Sequence, residues 1–579
     1  MKLPLFIALL ISAFAAFAQT DYPDPPPFTG VSEAKVKVEA NWLLLPMNGG
    51  ERYNKVKITD ADGNTVFAGS VLLADGNAQW HAPVDVSKFK GGEITFTYQT
   101  LTKEPSFRQV DELGYTDHSK DRGRPTFHLT PKFGYMGDFC GLVKVGGLWH
   151  AYFLFNPYAM TPHEPYFIAH AVSDDLVNWD YKPDVVRPVF SDGAAVYPVA
   201  GSAVFDKKNK SGFFDSGSGV ILLVEKSDGS TVLVSSGGAE LAVLSGLGGK
   251  SVGAPSLSYL EKQKLWLVVK CVSEGGSNVV EFYTSQDLSN WKLSGSVAAD
   301  MPSPTLFETF ISASDTKKYV LWGGDGSYLV GDFDGGNFRS DFPKPARLFY
   351  GDARGAQIWQ NAPSGRILAT ARVDQPGDLM RDVGQAFSQS ASIPWELRLA
   401  DTKRGLRLRA SVPQEIVGHF GRPVDALGIP QLQFRSNVFS LPEAVGNNFA
   451  VVFTFDTSEL VGFSLRAGVA KFGYSKLSES YEITRIETNK YAIKATDPRP
   501  DGFTSAMIFL DTYSAEAFFL DGSAVLFMGD SYLNPEQEIK VGCNGEIFVD
   551  KVSRFQINRV SPEQRAKAAR AVVDSANKK

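Results

Sequence analysis

The seven residues Ser173 to Trp179, SDDLVNW, recur from Ser285 to Trp291 as SQDLSNW, 112 positions later (285 minus 173). Repetition of one supersecondary unit marks arrays and propellers, and blades of roughly 40 to 60 residues put two blade lengths between such copies. Around both copies, from about Pro125 to Pro394, short apolar runs alternate with turn signals and show almost no helical periodicity. A span of about 270 residues accommodates about five blades. Within the repeat, the Asp is expected to cap a turn and the Trp to pack between sheets.

The flanks set the remaining organisation. Residues 1–18, MKLPLFIALLISAFAAFA, carry one lysine, an apolar run short for a bilayer span, and small residues at Ala16 and Ala18. That is the pattern of a cleavable signal peptide, and no lipidation cysteine follows it, so a secreted or periplasmic product without membrane insertion is expected. Pro23, Pro25, Pro26 and Pro27 make 19–30 a spacer. Alternation in VKVEANWLLL, KVKITD and ITFTYQT, broken by Asp62-Gly63 and Gly91-Gly92, predicts a β-sandwich over 31–105, followed by a polar linker over 106–124. The propeller is expected over 125–395 and a connector over 396–423. A second sandwich is expected over 424–558, where FAVVFTF and EAFFLDG alternate, then a charged, Ala-rich tail over 559–579. The chain is read as all-β: a five-bladed β-propeller flanked by two β-sandwiches. Its 41 Phe, 20 Tyr, 54 Gly and 32 Pro suit many short strands joined by turns.

Charge and cysteine usage remove several functions. With 58 Lys and Arg against 64 Asp and Glu, the net charge is -6, and no basic run is long enough to follow a phosphate backbone. Nucleic acid is therefore not an expected partner. Three dispersed cysteines, Cys140, Cys271 and Cys543, make no disulfide framework, and seven scattered histidines show no zinc spacing. Neither a metal nor another cofactor is implied.

Two carboxylates stand out. Asp138, in FGYMGDFCGL, lies between Gly137 and Gly141, where small neighbours allow close approach of a ligand, although such an Asp is commonly a turn residue. Glu308, in PTLFETFISAS, is a lone carboxylate in an apolar run. Burial without a partner would favour its neutral form, as a general acid requires; an ion pair with an Arg elsewhere in the fold is the alternative. An attacking carboxylate and a protonating one are the minimum equipment of retaining glycoside hydrolysis. Cys140, near His128 and His150 in sequence, is a weaker candidate nucleophile, since nothing establishes an adjacent base.

The stretch RPTFHLTPKFGYMGDFCGLVKVGGLWHAYFLFNPY resembles the opening blade of glycoside hydrolase family 32, the invertases, levanases and inulinases. IAHAVSDDLVNW, GSAVFDKKNKSGFF, LFETF and YGDARGAQIWQNAPSGRILATARV continue the likeness over about residues 124–416. WLLLPMN and PVDVSKFKGG resemble an N-terminal module of Bacteroidetes levanase-like members. The resemblance implies Asp138 as nucleophile and Glu308 as general acid/base of a Glu-Cys-Pro motif, with Thr309 and Phe310 replacing Cys and Pro. It also implies losses. The family's Arg-Asp-Pro motif aligns with Gly253-Ala254-Pro255, so its transition-state-stabilising carboxylate is Ala254. The Asn before the nucleophile is Gly137, and the sugar-binding Gln of the next strand is Leu154. Losing one such preorganised contact costs about 2.7 to 4 kcal/mol of transition-state stabilisation.

Tyr135, Phe139, Phe155, Asn156 and Trp359 are candidate contacts for an oligo- or polysaccharide, the aromatics by stacking on sugar faces. The leading expectation is a secreted retaining hydrolase acting on a fructan-like or other non-standard glycoside. The alternative is a catalytically inactive carbohydrate-binding protein on the same scaffold. Asp374 and Asp325 are the acids considered as replacements at the Ala254 position.

Overall fold

In this computed structural model the described residues are 30–557, apart from 115–122, 192–193, 216, 377–379, 382, 403–404 and connecting segments beyond 423. The expected signal peptide and tail, and nearly all of the spacer, lie outside them. Two compact units are present, Met1–Asp111 and Glu112–Lys579.

The first unit packs a sheet of four strands, Val31–Lys37, Glu93–Gln99, Asn54–Thr59 and Thr65–Val71 in spatial order, with a sheet of three, Trp80–Asp85, Trp42–Met47 and Arg108–Val110. Alternation in the sequence becomes alternation of burial: Val56 and Ile58 point inward while Lys55 and Lys57 are exposed. Arg108–Val110 pairs with Trp42 to Leu44. The expected linker from residue 106 therefore begins as a strand of this unit.

The second unit contains five blades. Their innermost strands are Gly134–Val145, Pro198–Asp206, Ser256–Leu260, Thr305–Phe310 and Ala353–Ile358, each continued outward by antiparallel neighbours. Phe387–Ser388 pairs in parallel with Gly134 and Tyr135 of the first blade, so a late segment closes the ring. Blade 5 includes Trp395–Thr402 and Gly405–Ser411, so much of the expected connector is propeller. Strands covered on both faces read as continuous apolar runs: in GVILLVEK the six central residues are all buried. Blade 1 packs on blade 2 through Tyr152, Leu154, Ala203, Leu222 and Val224.

The repeated heptapeptide joins the third and outermost strands of blades 1 and 3, two blades apart. Asp175 Oδ1 accepts from the Asn178 amide at 2.8 Å, and Asp287 Oδ1 from the Asn290 amide at 2.9 Å. Each Asp thus supplies the acceptor that the turn backbone lacks.

Beyond the propeller, Ile539–Ile557 pairs with Leu460–Ala467 through its first half and with Phe449–Asp456 through its second, so it serves both sheets of the C-terminal sandwich. Phe349–Gly351 of the propeller pairs in parallel with Ala524–Met528. Nearby, buried His128 holds Asp511 Oδ2 at 2.9 Å through Nδ1 and Glu516 Oε1 at 3.0 Å through Nε2. Burial alone would lower its pKa, but the two acidic partners outweigh burial and raise it to about 9.

Candidate functional site

The inner strands begin at one end of the propeller axis, and close glycine packing traces the ring there. Gly355 abuts Asp138, Gly324 touches Gly355 and Ser303, and Gly253 touches Ser303. Ala254 N donates to Ser303 Oγ at 2.9 Å. Blades 1, 5, 4 and 3 therefore meet at one mouth.

Asp138 lies where its strand is irregular, between Met136 and Phe139, and its side chain is 42% exposed. Such a bulge re-aims a side chain out of the ladder. Gly355, at φ +58°, makes the room: a Cβ there would stand 2.9 Å from the Asp138 carboxyl carbon. Into this space Arg372, from the second strand of blade 5, donates Nε–H to Asp138 Oδ1 at 2.9 Å and Nη1–H to Tyr135 Oη at 2.8 Å. Arg372 also pairs with Asp374 Oδ1 at 2.8 Å, and Asp374 with Arg354. Burial opposes the Arg372 charge, but Asp374, Tyr135 and Asp138 outweigh it and keep the pKa well above the ordinary arginine value. One oxygen of Asp138 is thus committed to a charge-assisted hydrogen bond.

Glu308 follows the ion-paired alternative rather than the unpartnered, neutral-leaning one, but its partners are two lysines and not an arginine. Lys262 Nζ donates to Oε1 at 2.8 Å and Lys317 Nζ to Oε2 at 3.2 Å. Partial burial acts to raise the Glu308 pKa, but the two ammonium groups outweigh it and hold the carboxyl below the ordinary glutamate range. Both lysines lie at hairpins joining an inner strand to its neighbour, after Leu260 and before Val320, which is the end opposite the mouth. Ser303, at the mouth, precedes Glu308 by five residues, about 16 Å of extended chain. Asp138 and Glu308 are not brought together.

Most of the candidate sugar contacts belong to the core. Phe139 is buried and its carbonyl accepts from Gln357; Phe155 is buried against Phe133 and Phe167. Asn156 is fully buried, donating to His163 O at 2.6 Å and accepting from Tyr158 N at 2.8 Å. Trp359 is buried, bonds Thr370 Oγ1 at 2.8 Å, and stacks on Trp179. Side chains committed in this way present no face to a sugar. Tyr135 alone reaches the mouth, through its hydroxyl on Arg372. Cys140 is fully buried, which pushes its thiol pKa far up, and His128 and His150 are engaged elsewhere, His150 with His170 at 3.0 Å. This removes the thiol as a nucleophile.

The three altered family positions share a physical logic. A Cβ on Gly137 would meet Leu154 Cβ at 2.7 Å, and Leu154 is itself part of the interblade core. Gly137 and Leu154 are therefore coupled. Beside Ala254 the lining is Ser202, Ser303, Thr305 and Gln357, with no carboxylate among the described residues. Asp325 turns to Ser327 and to Arg347, 2.8 Å away, while Asp374 is held by the two arginines, so neither replaces the missing acid.

Sequence reasoning missed Arg372, although it carried a signal, a charge within the apolar strand ILATARV.

A model of the glycosyl hydrolases family 32 N-terminal domain matches residues 128–410. The chain is 28% identical over 455 residues to a levanase of Bacillus subtilis, covering 70% of this chain and 65% of that one. It is 28% identical over 250 residues to an invertase of Schizosaccharomyces pombe, covering 38% and 42%. It thus spans less than two thirds of the length of either. Among solved structures, an exo-inulinase of Aspergillus awamori superposes with a TM-score of 0.64 at 19% identity, covering 77% of this chain and 99% of that one. A family 32 structure from Bifidobacterium adolescentis gives 0.61 at 16%, covering 91% and 99%. These likenesses establish the fold.

Proposed function

The chain belongs to glycoside hydrolase family 32, and from that premise we propose that it binds a saccharide at the propeller mouth without the two-carboxylate retaining reaction. The observation that carries this reading is the position of Glu308, held by Lys262 and Lys317 at the end of its strand away from Asp138. Retaining cleavage needs its carboxyls about 5 to 5.5 Å apart, one of them protonated at the start. Glu308 is remote and is held ionised. Asp138 then acts as a hydrogen-bond acceptor for a sugar hydroxyl, steadied by Arg372. The ligand class follows from the family, whose matched relatives are named levanase and invertase. Export is part of the proposal, supported by the apolar N-terminal segment and by an extracellular exo-inulinase among the relatives. No helix among the described residues is long and apolar enough to cross a membrane.

The experiment is a calorimetric titration of the mature protein with fructo-, gluco-, galacto- and xylo-oligosaccharides, with released sugar measured in parallel. Binding that weakens in Asp138→Asn, without release, is the expected result. Turnover that requires both Asp138 and Glu308 overturns the reading.

A further inference from the structure

Beside Asp138 the mouth continues along a row of tyrosines. Tyr135 and Tyr166 have ring centroids 6.4 Å apart, and Tyr166 and Tyr197 are again 6.4 Å apart. Tyr135 starts the inner strand of blade 1, Tyr166 follows the loop after its second strand, and Tyr197 precedes the inner strand of blade 2. The row thus crosses from one blade to the next. At its far end the Tyr197 hydroxyl donates to exposed Glu164, and Tyr166 lies within the fields of both Glu164 and Asp138. Burial pushes the Tyr135 pKa up to about 12 and raises those of Tyr166 and Tyr197 as well. All three phenols remain protonated.

We infer that Glu164, Tyr166 and Asp138 form one sugar subsite at the mouth, in which two carboxylates accept hydroxyl hydrogen bonds on either side of a tyrosine face, with Glu164 as the specificity-determining residue. The inference rests on the saccharide-binding reading and names which sugars it admits. Arg372 directs Nε–H at Asp138 and its Nη1 at Tyr135 and Asp374, and Asp374 also engages Arg354. The row offers a ligand two carboxylate acceptors, the second oxygen of Asp138 and the Glu164 carboxylate. Carboxylates accept and do not donate, so a ligand rich in hydroxyl donors satisfies them, while a uronate or a sulfated sugar meets like charge. The subsite selects neutral sugars.

The test is calorimetric titration of the full mature chain, as wild type, Glu164→Gln and Asp138→Asn, with neutral fructo- and xylo-oligosaccharides and with xylo-oligosaccharides bearing glucuronate. Circular dichroism checks that each variant is folded. In the wild type the neutral sugars bind and the glucuronate form binds at least tenfold more weakly. Glu164→Gln weakens neutral binding about tenfold, the size of one charge-assisted hydrogen bond, and narrows the gap to the glucuronate form. If Asp138→Asn weakens binding and Glu164→Gln does not, the subsite is wrong while the saccharide reading stands. If the wild type binds none of these sugars, the saccharide reading falls and the subsite with it; if it binds them and neither substitution matters, the sugar is held away from the mouth and the subsite is wrong.

Discussion

The two ends of the inner strands carry the same chemical pair, a carboxylate held by a basic side chain, in opposite settings. At the mouth, Asp138 meets Arg372, which is buried and shared with Tyr135 and Asp374. At the other end, Glu308 meets Lys262 and Lys317, both reaching from exposed hairpins. An ammonium on a flexible stem at the surface contributes little and is screened by salt, whereas a guanidinium fixed among three partners orients them. The mouth is a built arrangement. The far end is a pair of surface ion pairs on one carboxylate, a difference in setting that neither carboxylate's sequence context reveals.

The buried seam with the sandwich sets the upper bound for such pairs. Replacing His128 by Ala strips Asp511 and Glu516 of their shared cation and is expected to cost about 3 to 5 kcal/mol in denaturant unfolding. The His128 pKa is raised in the folded state to about 9, so its contribution is fully present below the ordinary histidine value and is lost as pH rises through about 9. The wild type should lose stability across that window, and His128→Ala should not share the loss. Next in size, Arg372→Met leaves Asp138 and Asp374 without their common donor and should cost about 3 kcal/mol. A cost no larger than that of a lysine at the far end would erase the contrast.

Smaller effects sharpen it. Gly355→Ala forces a side chain against the Asp138 carboxyl at a left-handed backbone position, at about 1 to 2 kcal/mol, and should weaken sugar binding with it. Glu308→Gln should cost about 0 to 1 kcal/mol, shrink in high salt, and leave sugar affinity unchanged. Because the folded Glu308 pKa is lowered, that small contribution is present above the ordinary glutamate value and disappears as pH falls through the folded one. Denaturant curves at pH 7 and pH 3 check this.

The architecture was legible because it is periodic. The S-x-D-L-x-N-W copies fell two blades apart, and alternation marked the strands of the first sandwich. The site was legible only where local geometry decides it: Asp138 between glycines lies at the mouth. The partners of Glu308 were not legible, because an apolar run in one dimension says nothing of hairpins that arrive from positions 262 and 317. Phe139, Phe155, Asn156 and Trp359 misled because aromatic and polar residues beside a site are equally the residues that pack the blades behind it. Arg372, 234 residues from Asp138 in sequence, becomes a neighbour only when the ring closes.

The most direct test of the account is sugar release from levan, inulin and sucrose by the mature protein, measured through long incubation beside Asp138→Asn, Glu308→Gln and the double variant. The account predicts no release that any of these substitutions abolishes. Wild-type turnover lost in both single variants, with no further loss in the double, would show the two carboxylates working as one retaining pair and would contradict it.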